Sequence, residues 1–137
     1  MKHRIVPALL GSLLFLLAAC SRNKPETVAK DFVEAMTTGD AEGVLKLLPK
    51  EAASDPRDPQ RADRLRAFVQ KRKNEGEQVL RMDTKEVKVE GNRATVQLIV
   101  RFVLNRGTER EKRHSENVLV IVVRQNGRWT VSPEMFY

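Results

Sequence analysis

Gly76 divides the chain into two halves whose apolar residues repeat with different periods. Before it, apolar side chains recur every three or four positions, which is the spacing of one face of an α-helix. The first such set is Val28, Ala29, Phe32, Val33, Ala35 and Met36. After it, β-branched residues alternate with polar ones, as in strands. Because helices precede strands, this order predicts an α+β domain whose helices pack on one face of a curved antiparallel sheet.

Two helices that meet at a tight corner are predicted at the start of the helical half. Pro25 fits the first turn of a helix, because its missing N–H would have no partner there. Gly39 is placed to end that helix, and Asp40 to cap the next one. The second helix then runs through Leu48 and stops at Pro49.

A third helix is predicted after an irregular loop. Residues 49–59 hold three prolines, which is typical of a loop. Asp58 and Pro59 are placed as cap and first turn of a helix that runs to about Gly76. Its apolar stripe is narrow and consists of Ala62, Leu65, Phe68 and Val69. Four of the basic side chains that border the stripe are Arg61, Arg64, Lys71 and Arg72.

These basic side chains allow two interpretations. Their aliphatic stems can lie over the edge of the core while the charged ends stay in water. Alternatively, they form a basic patch that binds membrane phosphates.

Four strands are predicted in the second half. They cover residues 82–90, 93–104, 114–124 and 128–132. Gly91-Asn92 and Asn126-Gly127 are the turn signals between strands, and the second dipeptide is typical of a type I′ hairpin. In the second strand the residues predicted to share the core face are Val96, Leu98, Val100, Phe102 and Leu104. Ile99 and Val103 on the opposite face indicate partial cover there as well.

Three segments carry a resemblance to a known superfamily. They are residues 26–36 (ETVAKDFVEAM), 38–48 (TGDAEGVLKLL) and 126–131 (NGRWTV). In this order they resemble small bacterial lipoproteins of the nuclear transport factor 2-like (cystatin-like) superfamily, including its lumazine-binding-like group. The resemblance implies a curved sheet wrapped around helices to make a cone, whose mouth is a pocket in enzymatic relatives.

The N-terminus resembles a bacterial lipoprotein signal that ends in Leu17-Ala18-Ala19-Cys20. Lys2 and Arg4 form a basic region, and the fifteen residues 5–19 that follow are too few for the roughly 20 of a membrane span. The resemblance implies cleavage before Cys20 and acylation there, which includes palmitate-type chains. We therefore expect a signal peptide at 1–19, a lipidated tether at 20–24 and one domain at 25–137. In the enterobacterial lipoproteins that this signal resembles, aspartate after the cysteine favours the inner membrane, so the resemblance with Ser21 implies the outer membrane, with the domain facing the periplasm.

Composition limits the chemistry of this domain. Cys20 is the only cysteine, so the domain has no internal disulfide and no thiol for catalysis or metal binding. The formal net charge of the whole chain is +7, of which Lys2 and Arg4 supply two. Such an excess of positive charge favours anionic partners. Basic and acidic residues are nevertheless interspersed along the chain, as on an ordinary solvated surface.

Catalysis is not predicted, and neither is a metal or a cofactor. Relatives that isomerise steroids need a tyrosine hydroxyl opposite a carboxylate, and the only tyrosine is Tyr137, the last residue. Dehydratase relatives use histidine with aspartate, and His114 is the only histidine after the signal. It lies beside Ser115 and Glu116 at the start of a strand, where neighbours point to opposite faces and cannot act on each other, so we expect an exposed strand-edge histidine. An isomerase or hydrolase remains the least favoured alternative.

The leading functional hypothesis is a non-catalytic binding module for a protein of the cell envelope. The exposed sheet face or the charged connection at 105–113 would meet that partner. The main alternative is a carrier that holds a small apolar ligand inside the cone. Core packing is the expected role of its pocket candidates, and a ligand pocket is the alternative; they are Phe32, Met36, Phe68, Phe102 and Trp129. Nucleic acid is not expected as a partner, and the sequence leaves a homodimer open.

Overall fold

The computed structural model describes residues 23–136. The predicted signal peptide, Cys20 and Tyr137 lie outside these described residues. The helices are α1 (Pro25–Thr38), α2 (Ala41–Leu47), α3 (Lys50–Ala53) and α4 (Arg61–Asn74). The strands are β1 (Glu77–Glu90), β2 (Arg93–Leu104), β3 (Lys112–Gln125) and β4 (Arg128–Val131), and a 3-10 helix follows at Pro133–Phe136. The helices precede the sheet, so the predicted α+β class is confirmed. Within residues 23–136, no helix has both the length and the hydrophobicity needed to span a bilayer.

The four strands form one antiparallel meander in the order β1-β2-β3-β4. The pairing of β1 with β2 shifts register twice, between Val79 and Arg81 and again between Thr84 and Glu86. Each shift places an extra residue in β1, and such bulges bend a strand and increase its twist. The sheet therefore curves, and its concave face receives the helices. The predicted type I′ turn is confirmed, because Asn126 and Gly127 have φ angles of 53° and 73°.

The corner between the first two helices follows the prediction. Gly39 has a φ of 77°, and its N–H donates to the Ala35 carbonyl at the end of α1. A side chain at this position would meet Lys73 of α4, because an added Cβ would lie 2.4 Å from the Lys73 Cδ. Asp40 caps α2, with its Oδ1 accepting a hydrogen bond of 2.9 Å from the Gly43 N–H.

The core lies between α1 and the concave face of the sheet. Val96, Leu98, Val100 and Phe102 of β2 are all buried, as the alternating pattern predicts, and Leu104 is partly buried. They belong to one hydrophobic cluster with Val28, Ala29, Phe32 and Val33 of α1. On the opposite face Val103 is buried and Ile99 is partly buried, so the predicted partial cover there is confirmed.

Several boundaries differ from the prediction; β3, for example, covers Lys112–Gln125 rather than 114–124. The third long helix begins at Arg61 rather than Pro59, with Gln60 at the N-cap position, and the Asp58 carboxylate pairs with Arg61 and Arg64 instead of capping it. The first strand begins at Glu77, five residues before the predicted start; burial alternates over its first four residues, but the sequence there, Glu-Gln-Val-Leu, does not alternate in polarity. The predicted loop contains the short α3 helix, and the last strand ends one residue early, before the 3-10 helix.

The start of the described chain is fixed to the free edge of β4. The Asn23 side-chain Nδ2 donates to the Trp129 carbonyl at 3.2 Å, and the Trp129 N–H donates to the Asn23 Oδ1 at 2.7 Å. Both outward-facing backbone groups of Trp129 are thus satisfied by one amide side chain. This paired contact holds Asn23 against the sheet edge.

Candidate functional site

A cleft with apolar walls lies between α4 and the 3-10 helix. Its volume is about 440 Å³, within the range of small-molecule sites in proteins. We call it the α4 cleft. Its lining residues are Leu48, Ala52, Arg61, Arg64, Leu65, Phe68, Pro133, Met135 and Phe136.

The helical period of α4 places Phe68 in this cleft. Leu65 and Val69 are turned into the core and are 6% and 0% exposed. Phe68 follows Leu65 by three residues, so it lies on the same side of the helix, but at the border of the core. It is 49% exposed, which is unusual for a large aromatic side chain. The cleft wall is therefore an aromatic ring that remains accessible to a ligand.

The opposite wall is held in place by the core. Phe136 packs edge-on against Phe32 of α1, with ring centroids 5.7 Å apart and an interplanar angle of 80°. The Ile121 N–H donates to the sulfur of Met135 at 3.4 Å. Glu134 pairs with Arg93 at the start of β2. The 3-10 helix is thus attached to α1, β2 and β3, so it provides a fixed wall.

The two polar residues of the cleft lining are Arg61 and Arg64, and both pair with the Asp58 carboxylate beside it. The Arg64 Nη1 donates to the Asp58 Oδ1 at 3.0 Å, and its Nη2 also pairs with this carboxylate. The Arg61 Nε lies 3.4 Å from Asp58 Oδ2, and its Nη1 donates to the Ala52 carbonyl at 3.1 Å. Hydrogen bonding from Arg64 lowers the pKa of the Asp58 carboxyl below its ordinary value. These contacts position both guanidinium groups at the cleft.

The predicted pocket residues do not meet in one pocket. Phe32, Phe102 and Trp129 are buried members of the core, and Met36 is partly buried against it. Phe68 does not point into the cone interior as predicted, but lines the α4 cleft on the surface. The reason is the narrow stripe of α4, which buries only two of its large apolar residues.

The predicted basic patch is divided along α4. Arg61 and Arg64 lie at the cleft, whereas Arg72 is about three helical turns from Arg61. The Arg72 side chain pairs with two carboxylates, at 3.1 Å from Glu75 and 3.6 Å from Glu77. Lys71 is exposed. The three arginines are each engaged by acidic neighbours, which the sequence alone did not indicate.

A histidine cluster lies elsewhere on the concave face. The His114 Nε2 is 3.2 Å from the Glu116 Oε1 and 3.4 Å from the Glu77 Oε1. Its ring stacks on Phe102, with centroids 5.3 Å apart. The expectation that Glu116 and His114 cannot act on each other is wrong, because residues two apart on a strand share a face. Among residues 23–136, no group of three or more potential metal-binding side chains is arranged to hold a metal ion.

A second basic region surrounds the fixed start of the chain, and sequence analysis missed it. Its members are Lys24, Arg124 and Arg128, which we call the tether-end cluster. The Arg124 guanidinium carbon lies 5.6 Å from the centroid of the Trp129 ring. Within the described part of the chain, none of the three forms an ion pair with a carboxylate. The available signal was the pair of arginines that flank the predicted Asn126-Gly127 turn.

Known proteins resemble this chain in fold. No protein-family model matches it, and no curated protein matches it either. A candidate NTF2-like transpeptidase from Campylobacter jejuni superposes with a TM-score of 0.60 at 20% identity, covering 79% of this chain and 96% of that one. A protein of unknown function from Mycobacterium tuberculosis has a TM-score of 0.51 at 15% identity, covering 92% of this chain and 70% of that one.

The first of these structures shows the class of fold. This chain has a nuclear transport factor 2-like fold, with helices packed on a curved antiparallel sheet. A candidate dehydratase of the NTF2-like family from Streptomyces avermitilis has a TM-score of 0.49 at 19% identity, covering 76% of this chain and 86% of that one. At these identities the likeness extends to the fold alone, and one fold serves many activities.

Proposed function

We propose that this chain is a lipid-anchored, non-catalytic binding module of the cell envelope that holds a small amphiphilic ligand in the α4 cleft. The observation that supports this function is the coincidence of an accessible aromatic wall and two positioned guanidinium groups in one cleft. Phe68 supplies the first feature, and Arg61 and Arg64 supply the second. Small-molecule sites commonly combine such a mostly apolar lining with a few placed polar groups.

The lining determines the chemistry of the ligand. Seven of the nine lining residues are apolar, so an apolar body would gain about 25 cal/mol for each Å² that it buries there. Arg61 and Arg64 are the two polar residues of the lining, so we assign the polar or anionic end of the ligand to them. A ligand of this kind is a single-chain amphiphile with one acidic group.

The location follows from the N-terminal sequence. Leu17-Ala18-Ala19-Cys20 supports cleavage before Cys20 and its acylation. Two or three acyl chains hold a protein on a membrane firmly, whereas one chain alone does not. We therefore propose residence in the cell envelope, at the outer membrane and facing the periplasm. A lipid-anchored module near a membrane would meet amphiphilic ligands directly.

A fluorescent amphiphile tests the cleft. We would titrate the detergent-solubilised, lipidated protein with anilinonaphthalene sulfonate, which combines an aromatic body with one anionic group, at a constant detergent concentration. Phe68→Ser should weaken binding about tenfold, because it removes the accessible aromatic wall. Leu119→Ser is the matched control, since Leu119 is 46% exposed and lies on the sheet away from the cleft. Equal affinities of both variants and the unmodified protein would refute a ligand site in the cleft.

A protein partner is the second candidate function, and one observation favours it. Leu119 is exposed on the sheet face opposite the core, beside the partly buried Ile99 and Ile121. Such an accessible apolar area is typical of interaction surfaces. A photo-crosslinking amino acid at position 119, with one at 88 as control, would test it in intact cells. Cross-links to one envelope protein from 119 alone would support this candidate, and their absence would remove it.

A further inference from the structure

We propose that the end of the sheet that carries the β3–β4 turn faces the membrane, where the tether-end cluster binds the phosphates of anionic lipid headgroups. This inference rests on the proposed lipidation of Cys20. It concerns Lys24, Arg124 and Arg128, which lie outside the α4 cleft. The arrangement fixes how the domain stands on the membrane.

The first step is the length of the tether. Asn23 is fixed to the β4 edge through both hydrogen bonds to the Trp129 backbone. Only Ser21 and Arg22 separate it from Cys20 in the sequence. An extended chain spans at most about 3.6 Å per residue, so the Cα atom of an acylated Cys20 lies within about 11 Å of the Cα atom of Asn23. The acyl chains must enter the bilayer, and hence Trp129 is held close to the headgroups.

The second step is the charge at this end. Arg124 and Arg128 lie on either side of the β3–β4 turn, and Lys24 directly follows Asn23. Among residues 23–136, no carboxylate pairs with any of them. Arg22 adds a further positive charge by sequence. Basic residues next to a membrane are attracted to anionic lipids, and this attraction falls off within about 10 Å in ordinary salt.

The third step is the support beneath these charges. Trp129 is only 9% exposed and belongs to the hydrophobic core, so its ring is not a group that inserts into lipid. Arg124 lies over this ring, which restricts where its guanidinium group can go. A guanidinium held in this way presents its N–H donors to a phosphate with little loss of side-chain freedom.

The inference also predicts which end of the domain is far from the membrane. β3 is 14 residues long, which corresponds to about 46 Å in an extended strand. The connection between β2 and β3 lies at its other end and includes Glu109. We therefore expect the connection to face away from the membrane.

Distance-dependent quenching tests this orientation. The lipidated protein would be reconstituted into vesicles of phosphatidylethanolamine and phosphatidylglycerol that contain a trace of lipid with a nitroxide on its headgroup. Because acylation blocks Cys20, the only native cysteine, a fluorophore can be placed at Gln125→Cys or at Glu109→Cys. Gln125 ends β3 beside the turn, and both positions are exposed. We expect quenching at 125 to exceed quenching at 109 at least threefold.

Charge reversal separates the headgroup contact from the effect of the tether. Arg124→Glu with Arg128→Glu should reduce the difference between the two positions. Arg106→Glu with Arg110→Glu is the matched control, because it makes the same change of charge at the other end of β3. Equal quenching at 125 and 109 in the unmodified protein would overturn the orientation. If the difference in quenching between positions 125 and 109 is unchanged in both double variants, the headgroup contact is refuted.

The mass of the intact protein distinguishes these outcomes from failure of the proposed function. Added diacylglyceryl and acyl mass on Cys20, together with equal quenching, would refute the orientation and leave the lipoprotein proposal intact. A chain without that mass would refute the lipoprotein proposal and, with it, the tether distance on which the orientation depends.

Discussion

Two arginine-rich regions of this protein differ in how their charges are used. On α4, Arg61 and Arg64 share the Asp58 carboxylate, and Arg72 pairs with Glu75 and Glu77.

At the β3–β4 turn, Arg124 and Arg128 have no carboxylate partner within the described residues. The denser cluster in sequence is thus partly neutralised by nearby carboxylates, most fully at Arg72, whereas Arg61 and Arg64 at the cleft share the Asp58 carboxylate. The number of basic residues in a segment is therefore a poor guide to its attraction for anionic partners.

The largest expected effect concerns the Trp129 side chain, which packs in the core beneath Arg124. Trp129→Ala should lower the free energy of unfolding by about 3–5 kcal/mol, because it removes a large side chain from the core. It would also remove the surface beneath Arg124. Denaturant unfolding measures the change, and Trp129→Phe should recover part of it. A loss below 1 kcal/mol for the alanine variant would show that the ring does not support this region.

The next effect concerns the fixed start of the chain. Asn23→Ala should lower the free energy of unfolding by about 1–2 kcal/mol, because it removes two partly buried hydrogen bonds to Trp129. It should also lengthen the free tether and reduce the quenching difference between positions 125 and 109. Asn23→Asp is an informative control, since its carboxylate can accept from the Trp129 N–H but cannot donate to the carbonyl. If the quenching difference is unchanged in the alanine variant, the hydrogen bonds between Asn23 and Trp129 do not determine the orientation of the domain.

A third, smaller effect distinguishes the two regions by pH. Hydrogen bonding from Arg64 lowers the pKa of the Asp58 carboxyl, so folding favours its ionised form. The stabilisation is fully present above the ordinary aspartate pKa of about 3.9 and is lost as the pH falls through the lowered value. Asp58→Asn should therefore melt at a lower temperature than the unmodified protein at pH 7, and the difference should shrink towards pH 3.

The control for this pH experiment lies at the other arginine region. Arg124→Gln with Arg128→Gln should leave the pH dependence of melting unchanged, because no carboxylate is paired there within residues 23–136. Scanning calorimetry between pH 3 and 7 measures both variants. If the melting temperature of the double glutamine variant depends less on pH than that of the unmodified protein, the two arginine regions do not differ in their pairing with carboxylates.

The elements that could be predicted from sequence are those set by local chemistry. Gly39 and Asp40 define the helical corner, and Asn126-Gly127 defines the type I′ turn, because each requires a particular backbone conformation or cap. The alternation along β2 likewise predicts its buried face. These signals need no knowledge of distant residues.

The candidate site was less predictable because it depends on long-range contacts. The helical period correctly predicts Phe68 on the apolar stripe of its helix, but the sequence does not show that the core ends beside it. The Asp58 carboxylate was predicted as a helix cap, and its pairing with Arg61 and Arg64 depends on where α4 begins. The contact of Asn23 with Trp129 joins residues 106 positions apart, so no local pattern indicates it.

The smallest expected effect is on stability at the tether-end cluster. Arg124→Gln with Arg128→Gln should change the free energy of unfolding by about 1 kcal/mol at most, mainly through the contact of Arg124 with the Trp129 ring. The same variant should nevertheless weaken the headgroup contact, because it removes two charges. Denaturant unfolding and vesicle quenching on one preparation compare the two properties. If stability falls by several kcal/mol, these arginines support the fold, and their lack of a carboxylate partner would no longer argue for a lipid phosphate.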